Sequence, residues 1–153
     1  MAYTYNYPRA SVTVDIVILC PHEKQTKLLL IQRGNEPYKN KWAFPGGFIE
    51  MDEMLVESAV RELHEETGLQ GVKLQQFRAY GDPGRDPRGR TVSVVFYGFT
   101  DIKNSIVAGS DDAKNAAWFS LDNIPDMAFD HNLVLDELIG FLKINTEQKI
   151  CQD

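Results

Sequence analysis

Two runs of β-branched and aliphatic residues, Val12 to Leu19 and Lys27 to Gln32, open the chain's pattern, parted by the polar stretch PHEKQT. Runs of that length and composition predict buried strands, and the polar break predicts a hairpin. From Arg33 to Phe48 the apolar spacing dissolves among Gly34, Asn35, Pro37, Asn40 and the Pro45-Gly46-Gly47 turn, which predicts a loop. A helical period follows. Leu55, Val56, Ala59, Val60 and Leu63 share one side of a wheel, with Asp52 as N-cap and Gly68 as the stop. Val72 to Tyr80 and Thr91 to Thr100 predict strands on either side of the charged loop GDPGRDPRGR, and Ala116 to Ser120 predicts a short one. Between Asp130 and Lys143, Leu135, Leu138, Ile139 and Leu142 recur at helical spacing. Strands, a helix, more strands and a last helix predict an α/β protein whose mixed, partly antiparallel sheet lies between helices.

One face of the first helix changes the picture. Glu62, Glu65 and Glu66 are separated by three and four positions, which places them within roughly 100° of arc. Like charges so spaced destabilise a helix by about 0.2–0.5 kcal/mol per pair. A cation is therefore expected among them, and a hard divalent ion with oxygen ligands is the natural choice. The carboxylates fall beside the apolar side of the wheel, at a seam between core and solvent where a cleft can form. No Cys/His cluster competes, so the donor set suits Mg²⁺ better than Zn²⁺.

Length, charge and cysteines narrow the function further. At 153 residues the chain is expected to be one domain, residues 1–153. A net charge of −6 argues against broad nucleic-acid binding. It also makes capture of an anionic substrate depend on a metal or a local arginine cluster. Cys20 and Cys151 stand far apart without ligand spacing, and read as free thiols in a reducing compartment rather than a disulfide. MAYTYNYPRA is no secretory signal, and the runs IVILC and LLLI are too short to span a bilayer. A cytoplasmic location with no membrane partner is expected.

The run Gly47, Glu53 and Arg61-Glu62-Leu63-His64-Glu65-Glu66-Thr67-Gly68-Leu69 resembles the Nudix box at every defined position. Trp42-Ala43-Phe44-Pro45-Gly46 and Trp118-Phe119 resemble the family's flanks. The resemblance implies the Nudix α/β/α sandwich and Mg²⁺-dependent hydrolysis, with Mn²⁺ as substitute, of a nucleoside diphosphate linked to another group. It implies Glu62, Glu65 and Glu66 as metal ligands with the carbonyl of Gly46, and Arg61 as the residue that orients the glutamates. Glu57 is the alternative partner of Arg61. Glu53 is expected to brace the box rather than bind metal, and His64 to be a surface residue. The general base is left between the box, with Glu65, and the later acidic pair Asp111 and Asp112.

The loop Gly81 to Ser93 sets Arg85, Arg88 and Arg90 beside Asp82 and Asp86. Elsewhere that would read as a solvated loop. Beside a pyrophosphate site, arginines offer bidentate phosphate recognition and aspartates accept ribose hydroxyls. This loop, YPRASVTVDIVIL and Phe129-Asp130-His131 resemble the ADP-ribose pyrophosphatase subgroup and related regulators. ADP-ribose is then the expected substrate, cleaved to AMP and ribose 5-phosphate, with Arg33, Arg85, Arg88 and Asp86 binding it. Tyr5, Tyr7, Phe44 and Phe129 are candidate platforms for adenine. The resemblance also favours a homodimer. Two rivals stay open: a triphosphate or nucleotide-sugar hydrolase, and a non-catalytic ADP-ribose sensor. The sensor's relatives carry an added DNA-binding domain, and from the short stretch after Asp130 none is expected here.

Overall fold

The computed structural model describes residues 2–101 and 113–150, with side chains over 2–101 and 115–143. Asp111, Asp112 and Cys151 lie outside the described residues. The elements in chain order are β1 (Ser11–His22), β2 (Gln25–Arg33), β3 (Trp42–Ala43), β4 (Gly46–Phe48), α1 (Leu55–Thr67), β5 (Gln75–Tyr80), β6 (Thr91–Phe99), β7 (Ala113–Ser120) and α2 (His131–Ile150). The expected hairpin is present, but its strands extend through most of PHEKQT. Only Glu23 and Lys24 remain as the turn, with Glu23 at φ 53°. The stretch expected to be loop holds β3 and β4.

Seven strands make one sheet in the order β3-β2-β1-β6-β5, with β4 added to β1 and β7 to β2. Among the named strands of the described residues only β1 and β6 run parallel; the other pairs are antiparallel. The position of the cleft follows from this pairing. β1 and β2 pair only near their turn, from Leu19↔Leu28 to His22↔Gln25. Beyond it they part, β4 taking the edge of β1 at Thr13–Asp15 and β3 the edge of β2 at Ile31–Gln32.

Successive strand residues face opposite sides of a sheet, and each side has its own helix. Val14, Ile16, Ile18, Leu29, Val94 and Phe96 pack with Ala59 and Leu63 of α1. Val17, Leu19, Leu28, Leu30 and Val95 pack with Val134, Leu135 and Leu138 of α2. This is the α/β/α sandwich expected from the sequence. Among the described residues no helix is long and apolar enough to cross a membrane.

Two expectations about α1 are corrected. The N-cap is Met54, whose backbone N–H donates to Glu57 Oε2 at 2.8 Å, and not Asp52. Glu57 is thereby a cap residue instead of a partner for Arg61. The buried face carries Ser58, Ala59, Leu63 and Thr67, while Val56 and Val60 are exposed. The small Ser58 and Ala59 let the helix approach the sheet closely, and this rotation turns Glu62 and Glu66 inward. Gly68 ends the helix as expected, at φ 76°, its N–H donating to the His64 carbonyl.

Candidate active site

Arg61 is the hub of the carboxylate cluster. Its Nε donates to Glu53 Oε1 at 2.7 Å, its Nη1 to Glu62 Oε1 at 2.8 Å, and its Nη2 to the Phe48 carbonyl at 3.2 Å. One guanidinium thus fastens the loop before α1 to the helix. Ser58 Oγ adds a bond to Glu53 Oε2 at 2.6 Å. The hydrogen bonds from Arg61, then Ser58, hold the Glu53 carboxyl at about 2. Every described oxygen contact of Glu53 is therefore a bracing one.

This brace sets an acid limit. Glu53 has its lower value only in the folded state, so its contribution is complete above about 4.5 and disappears as pH falls towards 2. Thermal melts from pH 7 to 2 are expected to show steep loss of stability between these values. Glu53→Gln should flatten that part of the profile; an unchanged slope would show that other carboxylates carry it.

Glu62 and Glu66 sit one helical turn apart on the flank of α1. The Gly46 N–H donates to Glu66 Oε2 at 3.0 Å. A Cβ on Gly47 would lie 2.5 Å from Glu62 Cδ, so only glycine leaves room for that carboxylate. Burial, then the charges of Glu62 and Asp15, push the Glu66 carboxyl up to about 8 against the Gly46 hydrogen bond. Burial also pushes Glu62 up. Glu65 departs from the expected trio. Its side chain is 55% exposed and leans on Arg61 Nη1 at 3.4 Å. His64 is exposed, beside Gln70.

Among the described residues no three His, Cys, Asp or Glu side chains form a closed metal cage. Two raised, half-buried carboxylates beside a glycine turn are an incomplete set of hard donors. That fits Mg²⁺, which is commonly held by one or two carboxylates with waters and substrate phosphates completing the shell.

The cleft opens where β1 and β2 part. Thr13, Asp15, Ile31, Arg33, Gly46, Gly47, Phe48 and Glu66 line it, together with Arg85, Asp86, Arg88 and Phe129 from later loops and His131 at the start of α2. The four expected substrate residues meet here, but not on equal terms. Arg85 Nε and Nη2 pair with both oxygens of Asp130 at 2.8 and 2.7 Å. Asp86, buried, is occupied through both oxygens by Arg88. Arg85 and Asp86 thus line the cleft while engaged by partners within the protein. Arg33 is the lining cation without a carboxylate partner among the described residues, and Arg88, though paired with Asp86, lines the cleft beside it. Their guanidinium carbons lie 4.9 and 5.4 Å from the Phe129 ring centre, and Arg88 also lies over Phe48 at 5.0 Å. Burial, then the charge of Arg88, push the Arg33 guanidinium down.

Of the aromatic candidates, Phe129 lines the cleft with its backbone at φ 54°, in the left-handed region. Phe44, buried and stacked on His131, lines it too. Tyr5 and Tyr7 belong to an exposed N-terminal segment outside the cleft lining. Sequence reasoning missed Asp15, Ser93 and Phe48, and saw His131 only as part of a motif. A signal for Asp15 existed: it is the lone charge inside the strand Val12 to Leu19.

The NUDIX domain family model matches residues 10–138. An ADP-ribose pyrophosphatase of Methanocaldococcus jannaschii is 42% identical over 131 residues, spanning 86% of this chain and 74% of that one. An ADPR responsive transcriptional repressor NtrR of Acinetobacter baylyi is 34% identical over 148 residues. That match spans 94% of this chain and 58% of the repressor. The solved NUDIX domain of Shewanella oneidensis NrtR complexed with ADP ribose superposes with a TM-score of 0.83 at 29% identity, over 89% of this chain and 90% of that one.

Proposed function

Because the chain belongs to the NUDIX domain family and is a Nudix pyrophosphohydrolase, we propose that its substrate is ADP-ribose, hydrolysed to AMP and ribose 5-phosphate. The observation that carries this reading is the pair Arg33 and Arg88. Their guanidiniums lie against one aromatic ring in the same cleft as Glu66, and the charge of Arg88 disfavours that of Arg33. Arg33 has no carboxylate partner among the described residues, its Nε donating to the Pro37 carbonyl, and a diphosphate supplies the missing anion.

In this reading Glu62 and Glu66, with the Gly46 carbonyl, hold Mg²⁺ or Mn²⁺, and Glu65 is an outer member of the set. When bound, the ion polarises phosphoryl oxygens and lowers the pKa of a coordinated water. Arg61 holds Glu62 in place. Arg33 and Arg88 draw in the diphosphate and offset the charge that builds on it. Water adds to one phosphorus, the bridging P–O bond breaks, and the leaving phosphate keeps the bridging oxygen. The water's proton passes to a base among Glu65, Asp111 and Asp112.

The test is product analysis with ADP-ribose, NADH, a nucleotide sugar and 8-oxo-dGTP side by side, with and without Mg²⁺. AMP and ribose 5-phosphate from ADP-ribose, only with the ion, are expected. Preference for the triphosphate with pyrophosphate release would reject the substrate. A second reading, an ADP-ribose-sensing module, draws on the likeness to the repressor; tight ADP-ribose binding without turnover would favour it.

Arg88 also neutralises the buried Asp86, so Arg88→Ala would disturb folding as well as binding. Arg88→Lys keeps the charge and loses the planar fork. It is expected to raise the KM for ADP-ribose about fivefold to tenfold with little change in Tm. An unchanged KM would reduce Arg88 to a strut.

A further inference from the structure

Two of the subgroup-like motifs, distant in sequence, meet at one carboxylate. Asp15 stands on β1 at the point where β1 leaves β4, paired with Gly46. Its Oδ2 accepts a hydrogen bond from Ser93 Oγ on β6 and faces His131 Nε2 at 3.6 Å. His131 is buried and held from both sides. The Phe44 N–H donates to its Nδ1 at 3.1 Å, which leaves Nε2 as the protonated nitrogen turned to Asp15. Phe44 stacks on the ring at 4.6 Å. Such a carboxylate is fixed before any ligand arrives.

Other carboxylates contributed to this region from outside α1 have both oxygens engaged, Asp86 by Arg88 and Asp130 by Arg85. Asp15 differs. Among the described residues its Oδ1 accepts no hydrogen bond, and it lies against Gly46, where a Cβ would strike it. The side chain is 14% exposed and lines the cleft beside Glu66. With Oδ2 taken by Ser93 and His131, Oδ1 is an acceptor in search of a donor, which the acceptor oxygens of phosphate cannot supply. It suits an uncharged donor, and the uncharged donors of a nucleoside diphosphate joined to a sugar are its hydroxyls.

We infer that Asp15 is a specificity-determining contact that accepts a hydrogen bond, through Oδ1, from a hydroxyl of a pentose joined to the diphosphate. The inference rests on the nucleoside-diphosphate reading given above. Ser93 and His131 are its positioning residues. Either ribose of the substrate is a source of the hydroxyl.

The test measures dissociation constants of AMP and of ribose 5-phosphate, each beside its 2-deoxy and 3-deoxy counterparts, with Mn²⁺ affinity measured in parallel. The wild-type protein is expected to bind one hydroxylated compound about tenfold or more tighter than one of its deoxy counterparts. The pair in which this occurs identifies the ribose. Asp15→Asn should shrink the ratio to about threefold or less while leaving Mn²⁺ affinity unchanged. Equal binding throughout the wild-type series overturns the inference, as does full discrimination by Asp15→Asn. A parallel loss of Mn²⁺ affinity overturns it too, by making Asp15 a metal ligand. If Asp15→Asn does not fold, Ser93→Ala, which lets the carboxylate turn, is expected to lose discrimination, and a retained ratio rejects the proposal. Turnover of ADP-ribose without deoxy discrimination sinks this inference alone. Asp15-dependent discrimination without turnover sinks only the reading on which it rests. Absence of both removes both.

Discussion

Replacing Glu66 with Gln is expected to remove turnover by on the order of 10²-fold or more and yet raise the stability of the metal-free protein. The first effect follows from the loss of an anionic oxygen at the cleft. The second follows from linkage. The folded carboxyl titrates at about 8 against 4.5 for the ordinary group, so the folded state binds the extra proton between these values. Stability contributed by the group is complete below about 4.5 and is lost as pH rises through 8. Glutamine carries no such penalty. Melts at pH 8 should favour Glu66→Gln by several kcal/mol, and the difference should close towards pH 4.5. Added Mg²⁺ should raise the wild-type Tm and leave the variant's unmoved. Wild-type turnover by the variant, or an undiminished response to Mg²⁺, would take Glu66 out of the metal site.

Adjacent glycines should fail in different ways. At Gly46 a Cβ would meet the backbone carbonyl of Val14 and the Asp15 side chain. The carbonyl cannot retreat without parting β4 from β1. Gly46→Ala is expected to cost about 3 kcal/mol or more and to yield little folded protein. At Gly47 the obstacle is the tip of Glu62, 2.5 Å away at Cδ, and a side-chain tip can swing aside. Gly47→Ala should therefore fold with a near wild-type Tm and lose about tenfold or more in metal affinity and turnover. Circular dichroism melts with Mn²⁺ titration check both variants. Similar outcomes for the two would show that Glu62 has no required position.

The hairpin, α1 and α2 were legible in the sequence because each carries its own period. The box was legible because Arg61, Glu62 and Glu66 keep fixed spacing on one helix. The rotation of α1 was not, since a wheel weighs valine above serine. It is Ser58 and Ala59, small enough to approach the sheet, that are buried, while Val56 and Val60 face solvent. The roles in the arginine loop were hidden for a related reason. Arg85 finds Asp130 from 45 residues away, and only the folded chain shows that this pair is satisfied. The lone Asp15 within an aliphatic strand was visible, but its partners Ser93 and His131 come from strands and helices far along the chain.

The parallel pairing of β1 with β6 has a consequence for the order of assembly. Ser11 is matched with Thr91 and Leu19 with Phe99, and joining such distant segments carries a loop-closure cost before any contact repays it. A growing polypeptide released as far as α1 would hold the acidic helix without the wall that gives Asp15 its hydroxyl partner from Ser93. His131 arrives later still. Capacity to bind should therefore lag behind helix content during refolding, appearing with the slow phase in which the two ends of the domain find each other.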